Sequence, residues 1–230
     1  MALGDWFNFH AYIQQLESEG KVTRTFRRLD SARQQAVINA ILEEATEKGP
    51  ASLNIKEIAR RANVSVGSLY QYFPNRDGLL DFAIELCVRY MTNMFEMSRP
   101  YLKAMPLKQA LRSYLMVGIE WGNTEVGLVR FLGRAAYQGD PALEERVVRP
   151  VAETMRKVIF ELLERAVQRG EIRAEVDLEA TSRLVNGLMI LVGDSQMLPY
   201  LNTYFQITDE KVPAERMLEA LVDFIIKGLN

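Results

Sequence analysis

Residues 55–73, IKEIARRANVSVGSLYQYF, carry two helical stripes on either side of a sharp turn, and each stripe is too short to stand alone. In the first, Ile55, Ile58, Ala59 and Ala62 share a face, with Asn54 placed as N-cap and Glu57 as its acidic partner three residues on. In the turn ANVS, Asn63 suits the left-handed conformation a tight reversal needs, Val64 plugs the space between helices, and Ser65 caps the second helix. The second stripe turns Leu69 and Phe73 inward, and Val66, Gly67, Ser68, Tyr70, Gln71 and Tyr72 are expected largely outward. The layout is a helix-turn-helix.

Helical periodicity dominates the rest of the chain, with few alternating β-branched runs and no internal repeat, so the fold class expected is all-α. Asp5 is placed as N-cap of a first amphipathic helix that carries Trp6, Phe9, Ile13 and Leu16 and ends near Gly20. A basic strip, KVTRTFRRL, leads to a helix over 31–48 closed by Gly49 and Pro50. After the two short helices, a long one is expected over 76–98, stopped by Pro100. Further helices are expected at about 107–121, 125–138, 142–169, 178–197 and 214–228. Asn75, Thr124, Asp140 and Asp177 sit where N-caps belong, and Pro150 is expected to kink its helix.

The outward residues of the second short helix match what a duplex offers. Tyr70 and Tyr72 carry hydroxyls for phosphates, Ser68 and Gln71 polar groups for base edges, and Val66 an apolar surface for a thymine methyl. Gly67 omits a side chain where backbone and groove wall approach. Charge supports this placement. Between Lys21 and Arg76 ten basic residues face five acidic ones, a local excess of +5 in a chain of net charge −2, so everything outside that segment sums to −7. A helix-turn-helix used only for packing, with a solvated charged face, satisfies the same pattern.

Enzymatic chemistry finds little to work with. Triads and zinc sites want histidine and only His10 exists; no phosphate-cradling glycine loop follows a strand. No cofactor, catalytic residue or metal site is implied. The single cysteine, Cys87, excludes an internal disulfide and reads as core. Without a secretory leader pattern or an apolar span, the expectation is a cytoplasmic protein with no membrane partner.

Beyond residue 80 the interior is rich in methionine and aromatic side chains. Met91, Met94, Met116, Trp121, Phe131, Tyr137, Met155 and Met189 form a soft lining suited to an irregular apolar ligand, with Arg134 available to an anionic head group. Each also serves as ordinary core. The helices over 178–197 and 214–228 are apolar around much of their girth, more than one buried face requires, and Gly187 and Gly193 would admit close backbones. A homodimer through these two C-terminal helices is expected.

The run IARRANVSVGSLYQYFPNRDGLL resembles the signature of the TetR family of bacterial transcription regulators, with an Ile-Ala pair, a Val-Ser turn, a glycine and a Tyr-x-Tyr-Phe step before a basic residue and a leucine. Asn63 departs from the commoner glycine at the turn, which asparagine tolerates. The resemblance implies a ligand-responsive regulator, a repressor by expectation. It would bind a palindromic double-stranded DNA operator as a homodimer and be released by a small hydrophobic or amphipathic effector. Carried over residue by residue, Asn54 and Lys56 fall where the family's second helix meets phosphates or an outer base. Val66, Gly67, Ser68 and Gln71 fall on the reading face, Tyr70 and Tyr72 at phosphates, and Arg76 at the basic start of the next helix. The implied organisation is an extension over 1–29, a DNA-binding domain over 30–80, and an effector-binding and dimerisation domain over 81–230. Lys21, Arg24, Arg27 and Arg28 of the extension are either an arm toward DNA or solvated charges on a packed segment. A helical protein-binding adaptor without DNA binding is the alternative.

Overall fold

The helices form where stripes and caps place them, and the exceptions have local causes. The computed structural model describes residues 6–49 and 52–230, with helix and no strand among them. The expected Asp5 cap and Pro50 lie outside the described residues, as do the side chains of Trp6 and Phe9. By contact density the chain divides into two units, one taking the described residues up to Met91 with Thr124–Val148, the other Thr92–Asn123 with Arg149–Asn230. The segment 81–230 is therefore not one packing unit.

The first unit is built on α3, Ser31–Lys48, whose cap Asp30 accepts from Arg33 N at 2.9 Å. Val37, Ile38 and Ile41 of α3 are buried, and α3 packs on α4 (Ile55–Arg61) and α8 (Val126–Gln138). The preceding α1 (Trp6–Ser18) and α2 (Arg24–Arg27) join the same core through Ile13, Leu16 and Phe26, all fully buried. Phe26 stands among Tyr72, Phe73 and Phe82 at ring-centroid distances of 5.7, 5.4 and 5.3 Å. Burying one phenylalanine stabilises by roughly 2–3 kcal/mol, and each aromatic pair adds about 0.5–1.5 kcal/mol.

α6 runs Arg76–Ala104, through Pro100 rather than stopping before it. Proline weakens a helix interior but does not end it when side chains hold the next turn. Ser98 Oγ donates to Phe95 O at 2.9 Å, and Arg99 and Lys103, on either side of the proline, both reach Glu161 at 3.3 and 3.0 Å.

Pro150 also acts differently from a simple kink. The helix expected over 142–169 is broken into α9 (Pro141–Leu143), a π-helical stretch Glu144–Val148, and α10 (Arg149–Gln168). Proline donates no hydrogen bond and its ring crowds the carbonyl four residues back, so the backbone just before it widens to the i→i+5 pattern. The cap expected at Thr124 moves to Glu125, which makes no side-chain cap bond.

The second unit has a core shared by α7 (Leu107–Thr124), α10, α11 (Leu178–Met197) and α13 (Ala214–Leu229), with Leu111, Ile159, Leu163 and Val222 at its centre. A short α12, Pro199–Phe205, follows α11; its proline start is readable in the sequence, but its length hides it from periodicity. Gly193 is buried, with a Cβ at its position 3.6 Å from Leu115 Cδ1, so it serves this core and not an outer face; Gly187 is exposed. No helix among the described residues is long and apolar enough to cross a membrane.

Candidate nucleic-acid interface

Asn54 caps α4 by accepting from Lys56 N and Glu57 N at 3.0 and 3.3 Å. The reciprocal half of a capping box is absent, because Glu57 turns to Arg60 (2.6 Å) and Arg61 (3.0 Å) while Asn54 N donates to Glu44 at 3.2 Å. Asn63 adopts φ 53°, the left-handed turn that asparagine permits. Ser65 then caps α5, Val66–Tyr72, accepting from Ser68 N at 3.0 Å.

α4 is fixed to α3 by a charge cluster that sequence reading missed. Arg61, 16% exposed, reaches Glu47 at 2.6 Å, Glu57 at 3.0 Å, Glu44 at 3.4 Å and Glu43 at 3.5 Å. Bonds from Arg60 and then Arg61 hold the Glu57 carboxyl down to about 2, and Arg61 likewise lowers that of Glu47. The signal was present as EExxE in α3 facing RR in α4, but only the tertiary packing says which arginine turns inward.

α5 is held from beneath and from its end. Leu69 and Phe73 are buried as expected. Tyr72 is a correction: expected outward toward phosphates, it is 8% exposed, its ring edge-on to Phe26. The reason is the extension, whose Phe26 supplies an apolar partner that a free-standing helix-turn-helix lacks. Thr23 docks on the last turn of α5, its N–H donating to Tyr72 O at 2.9 Å and its hydroxyl to Gln71 O at 2.6 Å. These bonds satisfy carbonyls that a helix C-terminus leaves without partners.

What α5 leaves outward is Gly67, Gln71 and Tyr70, the last 57% exposed, with Val66 and Ser68 half-buried. Asn54 and Lys56 at the start of α4 and Arg76 at the start of α6 are exposed as well. Ser68 Oγ lies 2.8 Å from Ser65 Oγ, leaving its second hydrogen-bonding capacity open. The surface thus combines amide, hydroxyl and cationic groups on and around a short helix, the kinds of group that can meet phosphates and base edges.

The expected effector residues are spread over both units. Met91 and Phe131, both buried, lie in the first with Arg134 and the exposed Tyr137; Met94, Met116, Trp121, Met155 and Met189 lie in the second, Met116 half exposed and Met189 in its central core. The Arg134 guanidinium donates to the carbonyls of Thr46 and Glu47, closing the C-terminus of α3. This geometry gives Arg134 a structural partner in place of the anionic head group expected for it. Sequence reading also passed over two buried polar atoms of the second unit that have no hydrogen-bond partner, Tyr114 Oη and Asn186 Oδ1. Tyr114 stacks on Phe95 at 6.0 Å, and burial pushes its hydroxyl pKa up.

Comparison with known proteins places the two matched segments in a family. Residues 37–82 match the family description "Bacterial regulatory proteins, tetR family", and residues 109–192 match "Tetracyclin repressor-like, C-terminal domain". The chain is 27% identical over 168 residues to the HTH-type transcriptional regulator BetI of Escherichia coli O45:K1 (strain S88 / ExPEC), covering 71% of this chain and 80% of that one. Among solved structures, the fatty acid degradation regulator FadR from Bacillus halodurans superposes with a TM-score of 0.63 at 18% identity, over 85% of this chain and 99% of that chain. FadR from Bacillus subtilis, in complex with stearoyl-CoA, gives 0.61 at 19% identity over 85% and 99%.

Proposed function

Because the chain belongs to the tetR family of DNA-binding transcription regulators, we propose that it is a repressor that grips a palindromic operator as a homodimer and lets go when a small amphipathic molecule binds. The observation that carries the DNA half is the division of labour in α5. Leu69, Tyr72 and Phe73 hold the helix while Gly67, Tyr70 and Gln71 face outward. Val66, Gly67, Ser68 and Gln71 read the major groove; Asn54, Lys56, Tyr70 and Arg76 grip the backbone. Tyr72 positions α5 from beneath.

The effector half is supported by two buried polar atoms left without partners, Tyr114 Oη in the apolar core of the second unit and Asn186 Oδ1 on α11. Such groups cost about 1–3 kcal/mol unless something satisfies them, which a ligand with a polar group in an apolar body does. A long-chain acyl-CoA is the first compound to try, given the stearoyl-CoA held by Bacillus subtilis FadR. Binding in the second unit biases α6, which begins at Arg76 in the DNA-facing surface and continues past Met94. Two reading helices must reach grooves about 34 Å apart, so a small change in their separation releases DNA.

Subunit pairing through α11 and α13 is supported by Leu184 and Phe224, each 69% exposed, and by the open face at Gly187. Large apolar side chains left this exposed mark an interaction surface. The test is footprinting on DNA flanking the coding region, then titration of the bound complex with acyl-CoAs. A protected palindrome that is released on titration upholds the reading. Absence of any protected sequence removes the repressor assignment, and release by no acyl-CoA removes this effector class.

A further inference from the structure

The segment Val22–Arg28 precedes the region matched by the family description, which starts at residue 37, yet it is built into the DNA-facing unit. Val22 and Phe26 are buried, and Thr23 holds the last turn of α5 by two hydrogen bonds to the carbonyls of Gln71 and Tyr72. Thr23 is also the N-cap of α2, so the residue that starts this helix is the one that grips the reading helix. The basic residues here are not equivalent. Arg27 is paired with Glu17, whereas Arg24 and Arg28 are exposed. Arg24 comes directly after the residue that touches Gln71, itself one of the exposed residues of the reading helix.

We infer that α2 is a docked phosphate clamp, in which Thr23 and Phe26 fix the segment to the end of α5 and Arg24 and Arg28 each neutralise a DNA phosphate beside the reading helix. The inference rests on the DNA-binding reading above and adds two contacts to it. A free basic arm is not what the geometry gives, because the backbone of Thr23 and the side chain of Phe26 are both tied down. The competing role for these arginines is purely structural: a cation near the carbonyl end of α5 complements its dipole, and α5 has no basic residue of its own in its last turn.

Salt dependence separates the two roles, because each phosphate neutralised adds about 0.9 to the slope of log affinity against log salt. The full-length protein is titrated with a fluorescent duplex of mixed sequence over a range of salt concentrations, and thermal melting of the same samples is recorded. Arg24→Gln with Arg28→Gln is expected to lower the slope by about 1.8 for each bound subunit, about 3.6 for a bound homodimer, with melting retained. Arg24→Lys with Arg28→Lys, which keeps the charges, is expected to restore the slope even if the glutamine variant melts early. Arg27→Gln is expected to leave the slope as in the parent protein. An unchanged slope in the glutamine variant, with the parent still binding in a salt-dependent way, overturns the clamp alone. No salt-dependent binding by the parent overturns the clamp and the DNA-binding reading together.

Discussion

The Arg61 guanidinium lies 3.4 Å from the carboxylate of Glu44, a side chain only 1% exposed, and thereby fixes the first short helix of the reading head to α3. Glu44 also accepts from Asn54 N, the capping residue of α4, so one buried acid serves both ends of that helix. Removing the arginine leaves a buried charge without its counter-ion, a loss of roughly 3 kcal/mol. Arg61→Met is expected to lower the unfolding free energy by that amount, read as a fall in the urea midpoint with the slope of the transition unchanged. Adding Glu44→Gln should recover part of it, and a double variant no more stable than the single one would refute the pairing.

The same cluster predicts an acid response. Glu57, held at about 2 by Arg60 and Arg61, binds fewer protons folded than unfolded between that value and its ordinary 4.5. Its contribution is therefore complete above pH 4.5 and disappears as pH falls toward 2. Glu47, lowered by Arg61, acts in the same direction. Melting temperature plotted against pH should fall more steeply below 4.5 in the parent than in Glu57→Gln, and parallel curves would contradict the assignment.

Two glycines of the reading head should respond oppositely to alanine. A Cβ at Gly78 would sit 2.7 Å from Pro74 Cγ and 3.1 Å from Cδ, against a rigid ring, whereas at Gly67 the nearest atom is Ser65 Oγ at 3.6 Å. Gly78→Ala is expected to destabilise by about 1–3 kcal/mol through overpacking. Gly67→Ala should preserve or raise stability by up to about 1 kcal/mol through helix propensity, while weakening operator binding by placing a methyl group in the groove contact. Denaturation and gel-shift measurements on the two variants, side by side, test both statements.

The two tyrosines of α5 divide by burial. Tyr70→Phe removes an exposed hydroxyl and should weaken binding to all sequences alike with the fold intact, since Tyr70 is 57% exposed. Tyr72→Ala empties the space against Phe26 and should cost about 3 kcal/mol or more of stability, its DNA defect being a consequence of that loss. Equal melting temperatures for Tyr72→Ala and the parent would remove the anchoring role.

How much was legible in the sequence depends on how local each signal is. The bounds of α3 and α11, the left-handed turn at Asn63 and the Ser65 cap depend on a few neighbouring residues, and the structure has them where spacing puts them. The outward placement of Tyr72 failed because Phe26, 46 positions earlier, decides it. The continuation of α6 past Pro100 likewise depends on Glu161 of another helix. Proline and exposed tyrosine patterns give only the local preference, and packing from distant parts of the chain reverses it. For the proposed effector site the sequence supplied composition, methionine and aromatic residues, but not which polar atoms would be left unsatisfied. Tyr114 and Asn186 look like any other core-flanking residues until their neighbours are known.

Association of subunits gives the last prediction. Leu184 on α11 and Phe224 on α13 are each 69% exposed on helices whose other large apolar residues are buried or half-buried, so the excess apolar girth seen in the sequence resolves into an inner core and an outer strip. Charge on the outer strip leaves the core untouched. Leu184→Arg with Phe224→Arg is therefore expected to yield a folded monomer by light scattering, with an unaltered helical signal. Each half of a palindrome would then be bound independently, and operator affinity should fall at least about tenfold as the second half-site no longer benefits from being tethered to the first. A double-arginine variant that remains dimeric would place the subunit contact elsewhere, and the exposed Tyr200 and Tyr204 of α12 would be the next surface to charge.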